Sequence, residues 1–88
     1  MKIKKGFTVR NIAGSDIVVP VGNAEKIFNG MITLNESGAF FWNALLKDTT
    51  IDEVVKKVTS EYDVDEERAK ADVEKFIEQL RENNLIEE

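Results

Sequence analysis

The 88-residue chain contains no cysteine and no histidine. Without cysteine it cannot supply a disulfide, a thiolate zinc site, an iron–sulfur cluster or a thiol nucleophile. Without histidine, its three serines, Ser15, Ser37 and Ser60, lack the base that most often activates a hydroxyl. We therefore predict no catalytic residues, no bound cofactor and no enzymatic activity.

Long apolar runs are also missing. No run approaches the roughly 20 residues that a bilayer-spanning helix needs, and residues 1–6 lack the apolar core of a signal peptide. We expect a cytoplasmic protein with no membrane partner. The acidic cluster at residues 63–67 lacks the ligand spacing and central glycine of a calcium-binding loop, so we assign its charge to helix capping and predict no metal site.

Charge is plentiful but unevenly divided. The net charge is -5, with 42% hydrophobic and 33% charged residues, in a length that fits a single domain over residues 1–88. Residues 1–46 carry five basic and three acidic side chains, a net +2, whereas residues 47–88 carry seven and fourteen, a net -7. Because nucleic-acid binding depends on clustered Lys and Arg, this acidic half predicts that the protein has no nucleic-acid partner.

The first half has the pattern of β-strands. Alternating apolar residues begin at Phe7, turn-forming residues follow at 13–16, and a β-branched segment occupies 17–21, which together predict a hairpin. The pair Asn29-Gly30 stands between apolar residues and predicts a second hairpin with a type I′ turn. That turn leads into a predicted strand at residues 31–34.

Three helices are predicted in the second half, each with its own N-cap. Asn35, Thr50 and Asp65 precede apolar residues at helical spacing, and Glu53 stands where a capping box requires a glutamate. The first helix is expected over residues 36–46. The second should run from the Thr50 cap to just before residue 62, and the third from the Asp65 cap to about residue 83. This order predicts an α+β, winged-helix-like fold, with a small antiparallel sheet of about three strands followed by three α-helices.

Two features could bind a peptide. If the strand at 31–34 lies at the edge of the sheet, its free N–H and C=O groups can pair with an extended peptide; a strand covered by its neighbours is the alternative. On the third helix, Lys70, Ile77 and Arg81 lie on one flank of the apolar stripe and could bind an acidic peptide. The alternative there is a solvated helix edge, with Ile77 in the core.

Residues 30–42, Gly-Met-Ile-Thr-Leu-Asn-Glu-Ser-Gly-Ala-Phe-Phe-Trp, resemble the turn from the last strand to the first helix in the PqqD-like family, named for a pyrroloquinoline quinone synthesis protein. Thr-Ile-Asp-Glu-Val-Val at 50–55, Glu-Tyr-Asp-Val at 61–64 and Asn-Leu-Ile at 84–86 resemble its later helices. The resemblance covers nearly the whole chain.

That resemblance implies a recognition element for ribosomally synthesised, post-translationally modified peptides. Such proteins bind the leader of a precursor peptide as an added strand, in a cleft shared with the third helix, and deliver it to a modifying enzyme, often a radical SAM protein. Carried onto this sequence, the resemblance and the two features above give a peptide-binding site formed by Met31, Ile32, Thr33, Leu34, Lys70, Val73, Ile77 and Arg81.

Two other functions stay open from the sequence. A winged-helix DNA-binding regulator fits the predicted fold, although the net charge of -7 over residues 47–88 opposes it. A structural or oligomerisation subunit of a larger enzyme would need no peptide at all.

Overall fold

A computed structural model describes residues 1–28 and 30–88 of the chain. The strands are β1 (Lys2–Ile3), β2 (Phe7–Ile12), β3 (Ser15–Pro20), β4 (Ile32–Leu34) and β5 (Ile86–Glu87), with a 3-10 helix at Gly22–Lys26 between β3 and β4. The helices are α1 (Glu36–Ala44), α2 (Ile51–Glu61) and α3 (Glu66–Glu82). The predicted α+β class, a three-stranded antiparallel sheet followed by three helices, is confirmed.

The central strand of the main sheet is β3. It pairs antiparallel with β2 and, on its other side, with β4, where Val18 stands opposite Ile32. The hairpin predicted from the first strand pair is therefore confirmed. Asn29, the first residue of the predicted type I′ turn, lies outside the described residues. The predicted second hairpin also requires a strand at Ile27 and Phe28, but these two residues do not lie in a strand. The strand β4 pairs with β3 instead.

The segment after β3 leaves the sheet and forms the 3-10 helix at Gly22–Lys26. Gly22 takes a φ of 60°, which turns the chain out of the sheet. Ala24 then packs so closely on Gly6 that a β-carbon on Gly6 would lie 2.7 Å from that of Ala24. Ala24 is the buried residue of this 3-10 helix.

Each α-helix begins at its predicted cap. The side-chain oxygens of Asn35, Thr50 and Asp65 accept hydrogen bonds from the backbone amides three residues later, at 2.7, 3.2 and 2.8 Å. The capping box at α2 is incomplete, because the Glu53 carboxylate accepts a hydrogen bond from the Thr49 hydroxyl at 2.8 Å. These bonds satisfy amides that a helix leaves unpaired at its start.

The core lies between the inner face of the main sheet and the helices, and β1 with β5 forms a second, two-stranded sheet beside it. Ile3 stands opposite Ile86 in that sheet. The Met1 amino group donates a hydrogen bond to the Asp48 carboxylate at 2.7 Å, and this bond, together with the positive charge of the amino group, lowers the pKa of the Asp48 carboxyl. Within residues 1–28 and 30–88, no helix is both long and apolar enough to span a membrane.

Candidate functional site

One edge of β4 has no strand beside it in the described part of the chain. The strand order is β2-β3-β4, so β4 pairs on one side only, with β3. The N–H and C=O groups of an antiparallel strand point alternately to its two sides. The open edge of β4 therefore presents backbone groups to which an extended peptide can bond.

The side chains of β4 alternate between the core and the surface. Ile32 and Leu34 are 7% and 6% exposed, whereas Thr33 between them is exposed. Met31, just before the strand, is 70% exposed. The four residues predicted to bind through this segment thus divide into two that anchor the strand in the core and two that face solvent.

An open groove lies between β4 and α3. One wall comes from Thr33, Leu34 and Asn35 at the end of β4, and the other from α3. The residues of the groove are Thr33, Leu34, Asn35, Gly38, Phe76 and Gln79. A second hollow continues it towards the start of α3, sharing Asn35, Gly38, Phe76 and Gln79 and adding Ser37, Phe41, Asp72 and Lys75.

The floor of the groove depends on the missing side chain of Gly38. A β-carbon there would lie 3.5 Å from Phe76 Cε1, 3.6 Å from Leu34 Cδ2 and only 3.0 Å from Asn35 Oδ1. Glycine is unfavourable inside a helix, by roughly 0.5–1 kcal/mol relative to alanine. The contacts with Phe76 and Leu34 would be ordinary van der Waals contacts, whereas the oxygen of the Asn35 cap would have to move by a few tenths of an ångström.

Phe76 is the main apolar surface on the helix side of the groove. Its ring is half-buried and meets Phe41 edge to face, with the centroids 5.5 Å apart at 64°. Edge-to-face pairing holds the ring in one orientation. A fixed, partly exposed aromatic ring beside an open strand edge can receive an apolar side chain from a bound peptide.

The structure does not bring all the predicted helix residues to the groove. Val73 and Ile77 are 0% exposed and belong to the core. Lys70 and Arg81 are exposed but line neither hollow. At about 100° per residue, Lys70 lies about 120° from Phe76 around the helix, on the other flank of the apolar stripe.

Arg81 is engaged elsewhere. Its guanidinium bonds to Glu88 at 2.8 Å and lies 3.7 Å from the Glu78 carboxylate. The flank that faces β4 carries Asp72, Lys75 and Gln79 instead. The periodicity of α3 identified the apolar stripe but does not say which of its two flanks lies beside β4. A helical glycine at position 38 and a bulky Phe76 at the margin of the stripe were the signals that could have identified the flank beside β4.

Charges around the groove are mixed. Asp72 is 4.0 Å from Arg68 on the exposed face of α3, and Lys75 is the lysine beside the groove. In the part of the chain that the structure describes, no three His, Cys, Asp or Glu side chains converge as metal ligands would. The site is built from backbone edges, an aromatic ring and amide side chains, a set suited to binding.

Comparison with known proteins points to one family. The family model described as coenzyme PQQ synthesis protein D (PqqD) matches residues 17–86. No curated protein is significantly similar to the chain in sequence.

Two solved structures share the fold. One, described as TbiB1 in complex with the TbiA(beta) leader peptide, has a TM-score of 0.77 and 22% identity, over 99% of this chain and 95% of that one. The other, a lasso peptide synthetase B1 complexed with the leader peptide, has a TM-score of 0.73 and 21% identity, over 96% and 93%. At these identities the similarity establishes the fold.

Proposed function

Because the chain belongs to the PqqD family, we propose that it binds the leader segment of a ribosomally synthesised precursor peptide and presents it to a separate modifying enzyme. The observation that carries this proposal is the open edge of β4 beside the groove of Phe76 and Gln79. Two chains of the same fold have been solved in complex with leader peptides, which supports it.

In this mechanism the leader adds to β4 as a further strand. Its backbone pairs with the open edge of residues 31–34, and its alternate side chains enter the groove. There they contact Phe76 and Gln79, with Asn35 at the end of the strand. Val73 and Ile77 support the site from the core, since both are buried on the same helix as Phe76.

The strength of such binding can be bounded. A few ladder hydrogen bonds contribute roughly 0.5–1.5 kcal/mol each, and two or three buried apolar side chains roughly 1.5–3 kcal/mol each. Ordering a flexible leader offsets part of this gain. We expect a dissociation constant near micromolar, which corresponds to a binding free energy of about -8 kcal/mol. Binding of this strength allows the leader to be released after modification.

The chain acts in this proposal as a non-catalytic adaptor. Its groove is walled by apolar, amide and backbone groups, and Lys75 and Asp72 are the charged side chains beside it. DNA binding has less support, because α3 carries six acidic and four basic residues. Chemistry on the peptide is therefore assigned to the partner enzyme.

A titration with N-methylated peptides tests the proposal most directly. Leaders of short precursors encoded beside the gene are added to the 15N-labelled protein, and the amides of residues 30–35 and 69–81 are followed. Two further peptides carry N-methyl groups on alternate residues, in the two possible phases. Strand addition predicts that one phase abolishes binding and the other is tolerated, because only every second peptide amide faces β4.

Equal tolerance of both N-methylated peptides would rule out strand addition while leaving peptide binding intact. If the amides of both segments stayed unshifted with every leader, the proposed function itself would be wrong. The structural-subunit alternative would then be favoured.

A further inference from the structure

The main sheet has two faces, and only one packs on the core. Val18 and Ile32 stand opposite each other on the inner face, where they are 0% and 7% exposed. Side chains alternate along a strand, so the next cross-strand row, formed by Arg10, Ile17 and Thr33, points to the opposite face. This face is turned away from the helices.

We call this second surface the outer sheet face: Thr8, Arg10, Ile12, Ser15, Ile17, Val19 and Thr33. Five of its seven residues are β-branched. Ile12 is 48% exposed, and Ile17 and Val19 are half-buried without joining the core. Arg10 is the one charged side chain of the seven. The side of an antiparallel sheet that faces solvent usually carries polar side chains, so the aliphatic side chains of this face indicate a contact surface.

A leader on β4 would enlarge the outer sheet face. The added strand continues the sheet, so one set of its side chains enters the groove. The other set lies beside Thr33 and extends the outer sheet face. A protein docked on that face would therefore touch this chain and its bound leader together.

Size argues that docking is weak until the leader is bound. Strands β2 and β3 are six residues long and β4 is three, so at about 4.8 Å between strands and about 3.4 Å per residue this face covers about 240 Å². A stable interface buries about 800 Å² on each partner. The leader strand adds about a third to the width of the sheet and brings its own side chains to the contact.

The charge of the face favours one kind of occupant. Two copies meeting face to face would each bring Arg10 and no acidic side chain of this face to the interface, so their charges would not be complementary. An apolar surface with an acidic side chain opposite Arg10 fits instead. The protein that must approach the leader at this place is the one that modifies its precursor.

We propose that the outer sheet face docks the modifying enzyme, through an apolar enzyme surface that carries a carboxylate for Arg10, and that a bound leader strengthens this docking. The inference rests on the proposed function. In this arrangement, one set of the leader's side chains contacts the groove of this chain, and the other set contacts the enzyme.

The test uses the full chain with the precursor leader and the modifying enzyme encoded beside it. Leader affinity and enzyme affinity are measured separately by calorimetry, the latter with and without saturating leader. The variants are R10E, which reverses an exposed charge, and I17S, which removes apolar surface. The matched control is L46S, because Leu46 is 52% exposed and lies outside the sheet.

We expect the leader to raise enzyme affinity at least tenfold in the wild type. R10E and I17S should each lower it about fivefold or more, with leader affinity unchanged within twofold, and L46S should behave as the wild type. Enzyme affinity that is the same in R10E, I17S and wild type, or insensitive to the leader, would overturn the inference alone. Self-association that R10E abolishes would assign the face to a second copy instead. Failure of the wild type to bind any leader would remove the proposed function as well.

Discussion

Phe76 Cε1 comes within 3.5 Å of the position that a β-carbon on Gly38 would occupy. This approach links α1 to α3 below the groove, and Leu34 of β4 lies almost as near the same point, at 3.6 Å. A methyl group at position 38 would therefore be in van der Waals contact with Phe76 and Leu34 and would fill space at the floor of the groove. Small changes at this position should alter peptide binding more than they alter folding.

Gly38→Ala should separate these two properties. Alanine is favoured in a helix by roughly 0.5–1 kcal/mol, and the new methyl group must displace Asn35 Oδ1 by a few tenths of an ångström, so we expect a stability change within about 1 kcal/mol. The same methyl group occupies the floor of the groove, and overpacking there should lower leader affinity about tenfold. Denaturant unfolding and calorimetry measure the two effects. Unchanged affinity would show that the leader does not reach Gly38.

Gln79→Trp tests which flank of α3 faces the peptide. Gln79 is exposed and lines the groove, so a bulky ring there should reduce leader affinity at least tenfold without a large loss of stability. Lys70→Trp places the same ring on the opposite flank and should bind normally. Fluorescence anisotropy of a labelled leader compares the two. The reverse outcome would restore the flank of Lys70 and Arg81 as the binding surface.

Asn35→Ala and Thr50→Ala form a second matched pair. Each removes an N-cap hydrogen bond, and each should cost about 1 kcal/mol, or a fall of about 4–8 °C in Tm for a domain of this size. Only Asn35 lines the groove. Leader affinity should therefore fall in Asn35→Ala and hold in Thr50→Ala; equal affinities would exclude a role for the Asn35 side chain in binding.

Ile32→Pro should abolish leader binding, because proline cannot continue a regular strand ladder. Its control is Asn11→Pro on β2, the opposite edge of the same sheet. Both variants should be less stable than the wild type, but only Ile32→Pro should fail to bind the leader. Fluorescence of Trp42, which is 2% exposed, reports whether each variant stays folded. A folded Ile32→Pro protein that binds the leader normally would contradict strand addition.

Local signals in the sequence located most of the fold. Asn35, Thr50 and Asp65 were recognisable as caps because capping involves only the next three residues, and all three caps form as predicted. The first hairpin was predictable for the same reason, since its strands are joined by a short turn. The pairing of β1 with β5 was not, because nothing local marks two segments at opposite ends of the chain as partners.

The candidate site was only half predictable, for a related reason. Residues 31–34 were identified as a strand, and the structure places that strand at an edge of the sheet. The helix partner was assigned to the flank of Lys70, whereas the groove lies beside Phe76 and Gln79. Periodicity gives the direction of a helix's apolar stripe but not which neighbour lies to its left or right. That choice depends on long-range packing of α3 against the rest of the domain, which local periodicity does not show.

The pairing of Ile3 with Ile86 joins two positions that lie 86 − 3 = 83 residues apart in the sequence. A contact of this separation closes a long loop of chain, which costs conformational entropy. Every residue that lines the groove lies inside that loop, between positions 33 and 79. Fraying of β1 from β5 would therefore expose Ile3 and Ile86 without removing any residue of the groove.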